Sequence, residues 1–454
     1  MKSLDFAFLA RLEEGDRHPA RRFYLAMRSM LRTLLLCGIG RTARLVLITS
    51  TALLFSACGR SQSELGVVPG MNGEALRAGS LPSKYAMLLS FDNSDGASPL
   101  AGLLNVNGTL YGTTSTGGAG TNCPDSDGCG IVFRVTPSGK ERVLYKFLGA
   151  PDGAKPGGDL VDVKGTLYGT TSYGGACDNS SLGCGTVFSV TTAGKERVLY
   201  RFAGHPDGES PTGRLINLNG TLYGTTTAGG NHNFGDRNGT VFSIATAGKE
   251  RVLYSFGHKD GIEPSPLVDI NGTLYGTMYL GGTGNSGTVF GVTLAGKEQI
   301  LYSFAGPPDG ALPTGSLLNV NGTLYGTTSS GGDQGCISSS SSCGTVFRIT
   351  TAGKERVLYR FAGGPDDGGD PNGRLLSVGG ILYGTTTDGG THGSGTLFTV
   401  TTAGKERVLY SFGDHHKHDG TTPLAGLTLV KSRLYGTTYG GGDYRVGTVF
   451  ALTP

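Results

Sequence analysis

Three groups of residues in this chain have types and spacings that could do chemistry. The first is the run Asp414-His415-His416-Lys417-His418-Asp419. Imidazoles as dense as His415, His416 and His418 can ligate zinc, copper or nickel. A metal needs converging ligands, however, and neighbouring side chains on a loop diverge, so the alternative is a solvated polar insertion. The second group is an Asp-Gly-x-x-Pro motif that occurs seven times, at Asp95, Asp152, Asp207, Asp260, Asp309, Asp367 and Asp419. Seven carboxylates in a ring could hold cations or a polar ligand. The same motif also reads as a turn, with Asp capping its own backbone, Gly accepting a positive φ and Pro presetting the next bend. A motif present in every unit fits a building element better than a single site.

The third group is cysteine. Six of the eight form local pairs: Cys123 with Cys129, Cys177 with Cys184, and Cys336 with Cys343. Each pair lies in the longest copies of one variable loop, where a disulfide would staple a floppy insertion in an oxidising compartment. Zinc is the rival reading, but five or six intervening residues suit it poorly. Beyond these groups no Gly-x-Ser-x-Gly, His-Glu-x-x-His or phosphate-loop pattern stands out. Lone histidines such as His205, His232 and His392 have no carboxylate at a fixed spacing. The sequence therefore assigns no catalytic residues.

The elements that must position these residues are set by a repeat. Residues 86–454 hold seven copies of one unit: a VLYSF-like run, the Asp-Gly-x-x-Pro motif, an apolar run, NGTLYGTT, a variable Gly-rich stretch, GTVF-x-VT, and AGKER. The tyrosines of the LYGT element recur 57, 55, 52, 50, 58 and 52 residues apart, a period that marks a solenoid, propeller or array. Each unit offers four short strands rich in Val, Thr, Tyr and Phe, joined by Asn-Gly-type and Ala-Gly-Lys turns suited to hairpins. With 80 glycines in 454 residues, long helices are excluded. Alternation within Arg197–Phe202 predicts that Val198, Tyr200 and Phe202 share one face. Leu199 on the other face is also apolar, so such strands need cover on both sides. The expectation is an all-β, seven-bladed propeller of four-stranded blades. The final unit has no VLYSF run after it, so the run at 86–91 is expected to supply its fourth strand and close the ring. Strand parity places the Asp-Gly-x-x-Pro and variable loops at one end, the end expected to bind. The AGKER turns at the other end are expected to be laced by surface ion pairs.

Residues 1–57 differ in kind. Arg28, Arg32, Arg41 and Arg44 precede an apolar run, Leu45 to Phe55, and Ser56-Ala57-Cys58 follows. That is a secretion-signal layout, with Met27 or Met30 as alternative starts. A Cys directly after Ser-Ala predicts lipidation at Cys58, and residues 58–85 read as a flexible tether. Without the signal, 29 basic and 31 acidic residues remain, so no basic surface argues for nucleic acid.

The recurring motifs GTLYGTT, GTVF-x-VT and AGKERVLYSF resemble the GloVer (Gloeo_Verruco) tandem-repeat proteins across residues 86–454. The resemblance implies an exported, anchored bacterial surface protein and carries no catalytic residues. The strand pattern is also similar, in a generic way, to streptogramin-lyase-type and NHL-type propellers. Together these readings describe an exported lipoprotein, periplasmic or at the cell surface. It is expected to be monomeric, to need no cofactor apart from a candidate metal ion, and to act as a non-enzymatic scaffold for a protein or polysaccharide of the envelope. An extracytoplasmic lyase or hydrolase, or a purely structural envelope protein, are the alternatives. Total absence of Trp argues against a sugar-stacking lectin.

Overall fold

The computed structural model describes residues 84–454, apart from 121, 125, 176, 178–181, 232–237, 333–335, 337–342 and 415–417. Cys58, the signal region and all but the last residues of the tether lie outside that range, as do His415 and His416. The described residues form seven antiparallel sheets of four or five strands and two small two-stranded ones, and contain no helix. The second blade shows the pattern. Its strands are Val161–Val163, Thr166–Gly174, Thr186–Thr191 and Glu196–Arg201, in that spatial order. The two-residue turn between the first pair has positive φ at both Lys164 and Gly165, as a type I′ hairpin requires. A short strand, Gly153–Pro156, follows the Asp-Gly step and pairs with the far end of Thr166–Gly174. This pairing ties the Asp-Gly-x-x-Pro segment to the start of the variable loop, so both occupy one end of the blade.

The seventh sheet consists of Thr428–Val430, Arg433–Thr438, Thr448–Thr453 and the N-terminal strand Lys84–Ser90. The N-terminal strand begins two residues before the expected boundary. It pairs antiparallel with Thr448–Thr453, from Lys84 opposite Thr453 to Ser90 opposite Thr448. The junction between last and first blades carries further bonds. Phe91 N donates to Gly447 O (3.1 Å), Ser98 N to Val446 O (2.7 Å) and Thr437 Oγ1 to Ala101 O (2.9 Å).

The core is seven seams rather than one interior. In each seam the Phe that follows an outer strand meets the Phe of the VF element in the next blade, edge to face. The pairs are Phe91–Phe133, Phe147–Phe188, Phe202–Phe242, Phe256–Phe290, Phe304–Phe347, Phe361–Phe398 and Phe412–Phe450, with ring centroids 4.9 to 5.1 Å apart. The glycine of LYGT makes room for this contact. Gly169 lies opposite Phe188 in the ladder, and a Cβ on it would sit 2.7 Å from the ring.

One expectation about facing is corrected. A bulge at the Leu of VLY breaks the alternation, because Val198 pairs with Phe188 while Tyr200 pairs with Val187. Phe188 and Val187 point to opposite sides, so Val198 and Tyr200 do too. The equivalent residues of the first blade show the same split: Val143 packs in the seam with Phe91, and Leu144 and Tyr145 pack in the next. The bulge is how one apolar strand serves two neighbours.

Removing a seam ring tests this account. Phe290→Ala is expected to destabilise the protein by about 3–5 kcal/mol, read as a lowered denaturation midpoint. A loss below about 1 kcal/mol would show that the seams do not carry the core.

Candidate functional site

The repeated aspartates do not face an open ring. Asp152 accepts from Tyr145 Oη (3.0 Å) and Leu148 N (3.0 Å), and Asp207 from Tyr200 Oη (2.9 Å) and Ala203 N (3.0 Å). Asp260, Asp309, Asp367 and Asp419 repeat the pattern with Tyr254, Tyr302, Tyr359 and Tyr410. Asp95 differs because Leu89 stands at the tyrosine position; it accepts from Asp92 N instead. These carboxylates thus tie outer strands to the loops that leave them.

The AGKER glutamates also turn inward, where surface ion pairs were expected. Oε1 of Glu141, Glu196, Glu250, Glu298, Glu355 and Glu406 is buried without a hydrogen-bond partner. Burial first, and then the aspartate of the same seam, pushes five of these carboxyls up to about 7 and Glu406 to about 8. In the seventh seam Tyr85 takes the glutamate's place and stacks on Tyr410 with centroids 4.3 Å apart.

These shifts fix a pH dependence. A carboxyl raised above its ordinary 4.5 holds a proton in the folded protein that the unfolded chain has released. Stability is therefore expected to fall as pH rises from about 4.5 to about 8, with Tm highest in mild acid. Glu406→Gln should flatten the slope of Tm against pH. A Tm that climbs steadily from pH 5 to pH 8 would contradict the arrangement.

The cysteine pairs are disulfides: Cys123–Cys129, Cys177–Cys184 and Cys336–Cys343, with Cα separations of 4.9, 5.4 and 5.8 Å. They point to a compartment outside the reducing cytoplasm. Of the histidine cluster only His418 is described. It is exposed, and its Nδ1 lies 2.9 Å from Asp443 Oδ1. Among the described residues no three His, Cys, Asp or Glu side chains gather as a metal site would require. His205 Nδ1 lies 2.7 Å from Gly230 O, a local loop contact.

What the structure does bring together lies on the axis. The segment between each Asp-Gly-x-x-Pro and the first strand lines a cavity of about 400 Å³, to which all seven blades contribute. These segments are held in register by LYGT threonines reaching the next blade. Thr170 Oγ1 donates to Gly213 O (3.0 Å), Thr225 Oγ1 to Ser265 O (3.2 Å) and Thr385 Oγ1 to Ala425 O (3.1 Å). Small residues permit the packing: a Cβ on Gly158 would meet Gly213 O at 2.5 Å.

Here the sevenfold repeat breaks. The residue before the first buried Leu of each unit is, in order, Gly102, Asp159, Arg214, Pro266, Ser316, Arg374 and Gly426. All but Gly102 line the cavity. Asp159 Oδ1 accepts from Gly102 N (2.6 Å). Arg374 Nε is buried with no hydrogen-bond partner. Burial, and then the charge of Arg214, hold the Arg374 guanidinium below its usual value, and Asp159 opposes them. Tyr279 and Glu263 line the same space, and burial followed by Glu263 and Asp370 pushes the Tyr279 hydroxyl up. The unit-by-unit reading of motifs missed this group because it compared what the copies share. The signal was present in the one variable column between two fixed ones.

A family model, the Gloeobacter/Verrucomicrobia repeat, matches residues 70–268, 124–340 and 265–454. The chain belongs to this family. No curated protein matches it. Among solved structures, an oligogalacturonate lyase in complex with manganese is similar with a TM-score of 0.50 at 12% identity, over 82% of this chain and 96% of that one. A gluconolactonase from Xanthomonas campestris gives a TM-score of 0.40 at 14% identity, over 82% and 89%. A puromycin hydrolase gives 0.48 at 11% identity, over 76% of this chain and half of that one. At 12% identity the likeness to the lyase shows the fold alone.

Proposed function

We propose that this family member is an exported, lipid-anchored propeller that binds a ligand non-enzymatically in its axial cavity. Cys58 is the lipidated residue, residues 59–83 tether the ring to the membrane, and the partner is a polysaccharide or protein of the envelope. The observation that carries the binding role is the axial break in symmetry. Seams, turns and bulges repeat from blade to blade, while the residues facing the axis range from Gly to Arg. Side-chain variation on a concave surface of a rigid scaffold is the pattern of a recognition site. The signal layout, the Cys after Ser-Ala and the three disulfides support export and anchoring.

Two measurements test the proposal. Cys58→Ser is expected to move the protein from the membrane fraction to the soluble exported fraction; an unchanged membrane fraction would remove the anchor. The purified exported protein should show concentration-dependent rises in Tm with one class among glycans, envelope polysaccharides and divalent metals. Flat Tm values across that panel would count against the binding role, and turnover of a stabilising compound would replace binder with enzyme.

A further inference from the structure

The axial cavity carries chemistry that narrows its ligand, and this step rests on the binding role proposed above. Arg214 and Arg374 reach it from blades three apart, the widest separation a ring of seven allows. Each guanidinium presents five N–H donors in a planar fork and no acceptor. Placing two of them on one small cavity concentrates donors and positive charge at the arginines. Asp159 offsets part of that charge beside Arg374, while its Oδ1 also accepts from Gly102 N. Repulsion between the two guanidiniums costs free energy and is relieved by an acceptor-rich anion between them.

The rest of the lining limits what that anion can be. Asp159 and Glu263 balance the two arginines, so the cavity as a whole is neutral and disfavours a dense polyanion. Their carboxylates are acceptors, as suits a ligand whose body carries hydroxyl donors. Ser316, Asn372 and Tyr279 add polar groups that can both donate and accept. A space of about 400 Å³ holds a ligand of one or two sugar rings and excludes a folded chain. We infer that the axial cavity binds a singly charged, polyhydroxylated carboxylate, the chemistry of a sugar acid, with its carboxylate between Arg214 and Arg374 and its hydroxyls toward Asp159 and Glu263.

The test is calorimetric titration of the full exported protein with glucuronate, glucose and inorganic phosphate, and with a short glucuronate-containing oligosaccharide. Glucuronate is expected to bind at least tenfold more tightly than glucose or phosphate. The oligosaccharide separates sources: tighter binding than the free acid assigns the site to a polysaccharide residue, and weaker binding to a free sugar acid, and both outcomes keep the inference. Arg214→Gln and Arg374→Gln should each lower glucuronate affinity tenfold or more. Arg374→Lys, which keeps the charge but loses the fork, should fall between wild type and Arg374→Gln. Far-ultraviolet circular dichroism identifies any variant that fails to fold, in which case Arg214→Gln decides. Equal affinity for glucose and glucuronate, unmoved by the arginine variants, would overturn the sugar-acid assignment and leave the binding role standing. Preference for phosphate would overturn it as well. Failure of all four probes would overturn it for the cavity, while binding of another glycan would still support the broader proposal.

Discussion

Everything in this molecule depends on one contact, a phenylalanine edge set against a phenylalanine face across each seam between blades. The ring that follows an outer strand and the ring of the VF element come within about 5 Å in all seven seams. Such pairs contribute about 0.5–1.5 kcal/mol beyond their buried area. Other features serve that contact. The LYGT glycine is bare so that the VF ring can lie over it. The leucine bulge turns the outer strand so that Val faces one neighbour while Tyr and Phe face the other. The first seam needs Phe91, which only the N-terminal run can provide, and that run is the outer strand of the last blade.

A core divided into seams has a consequence for function. No blade owns a complete interior, so the apolar core lies in the seams rather than in the loops. The polar groups in the seams then hold the loops in place. Tyrosine, aspartate and glutamate converge between adjacent blades, and the aspartate also accepts from the main chain of the loop it begins. This arrangement accounts for the Asp-Gly-x-x-Pro motif in six of the seven units without calling on a ligand, and in the first Asp95 accepts from Asp92 N instead.

Much of this was legible in the sequence because a repeat prints its structural demands seven times. Blade number, strand order, the paired cysteines and the turn glycines all follow from that repetition. Three things did not. The face of Tyr200 depends on a bulge, and a bulge leaves no mark in an alternating pattern. The inward turn of Glu196 toward Asp152 joins residues 44 positions apart in neighbouring blades, so local charge pairing suggested a surface ion pair instead. The axial arginines were hidden for the opposite reason. Arg214 and Arg374 occupy a column in which the copies disagree, and a reading guided by agreement passes over it.

That column is where a symmetric scaffold can acquire a function at least structural cost. Its flanks are fixed: a small residue on one side packs against the next blade, and a buried leucine on the other fills the seam. Threonines from the neighbouring second strands pin the main chain at several of these segments. Asp159 and Arg374 in this column set charge at the axis while neighbouring residues make the seam contacts. At Gly426 a Cβ would come within 3.0 Å of Arg374 O, so a larger residue there needs the neighbouring blade to give. Six of the seven such positions line one cavity, each set by a single residue. The chain has placed opposite charges in three of the seven and a proline or small residue in the other four. Recognition and folding are thus written in different columns of the same repeat, and the axial chemistry could diverge while the blades stayed alike.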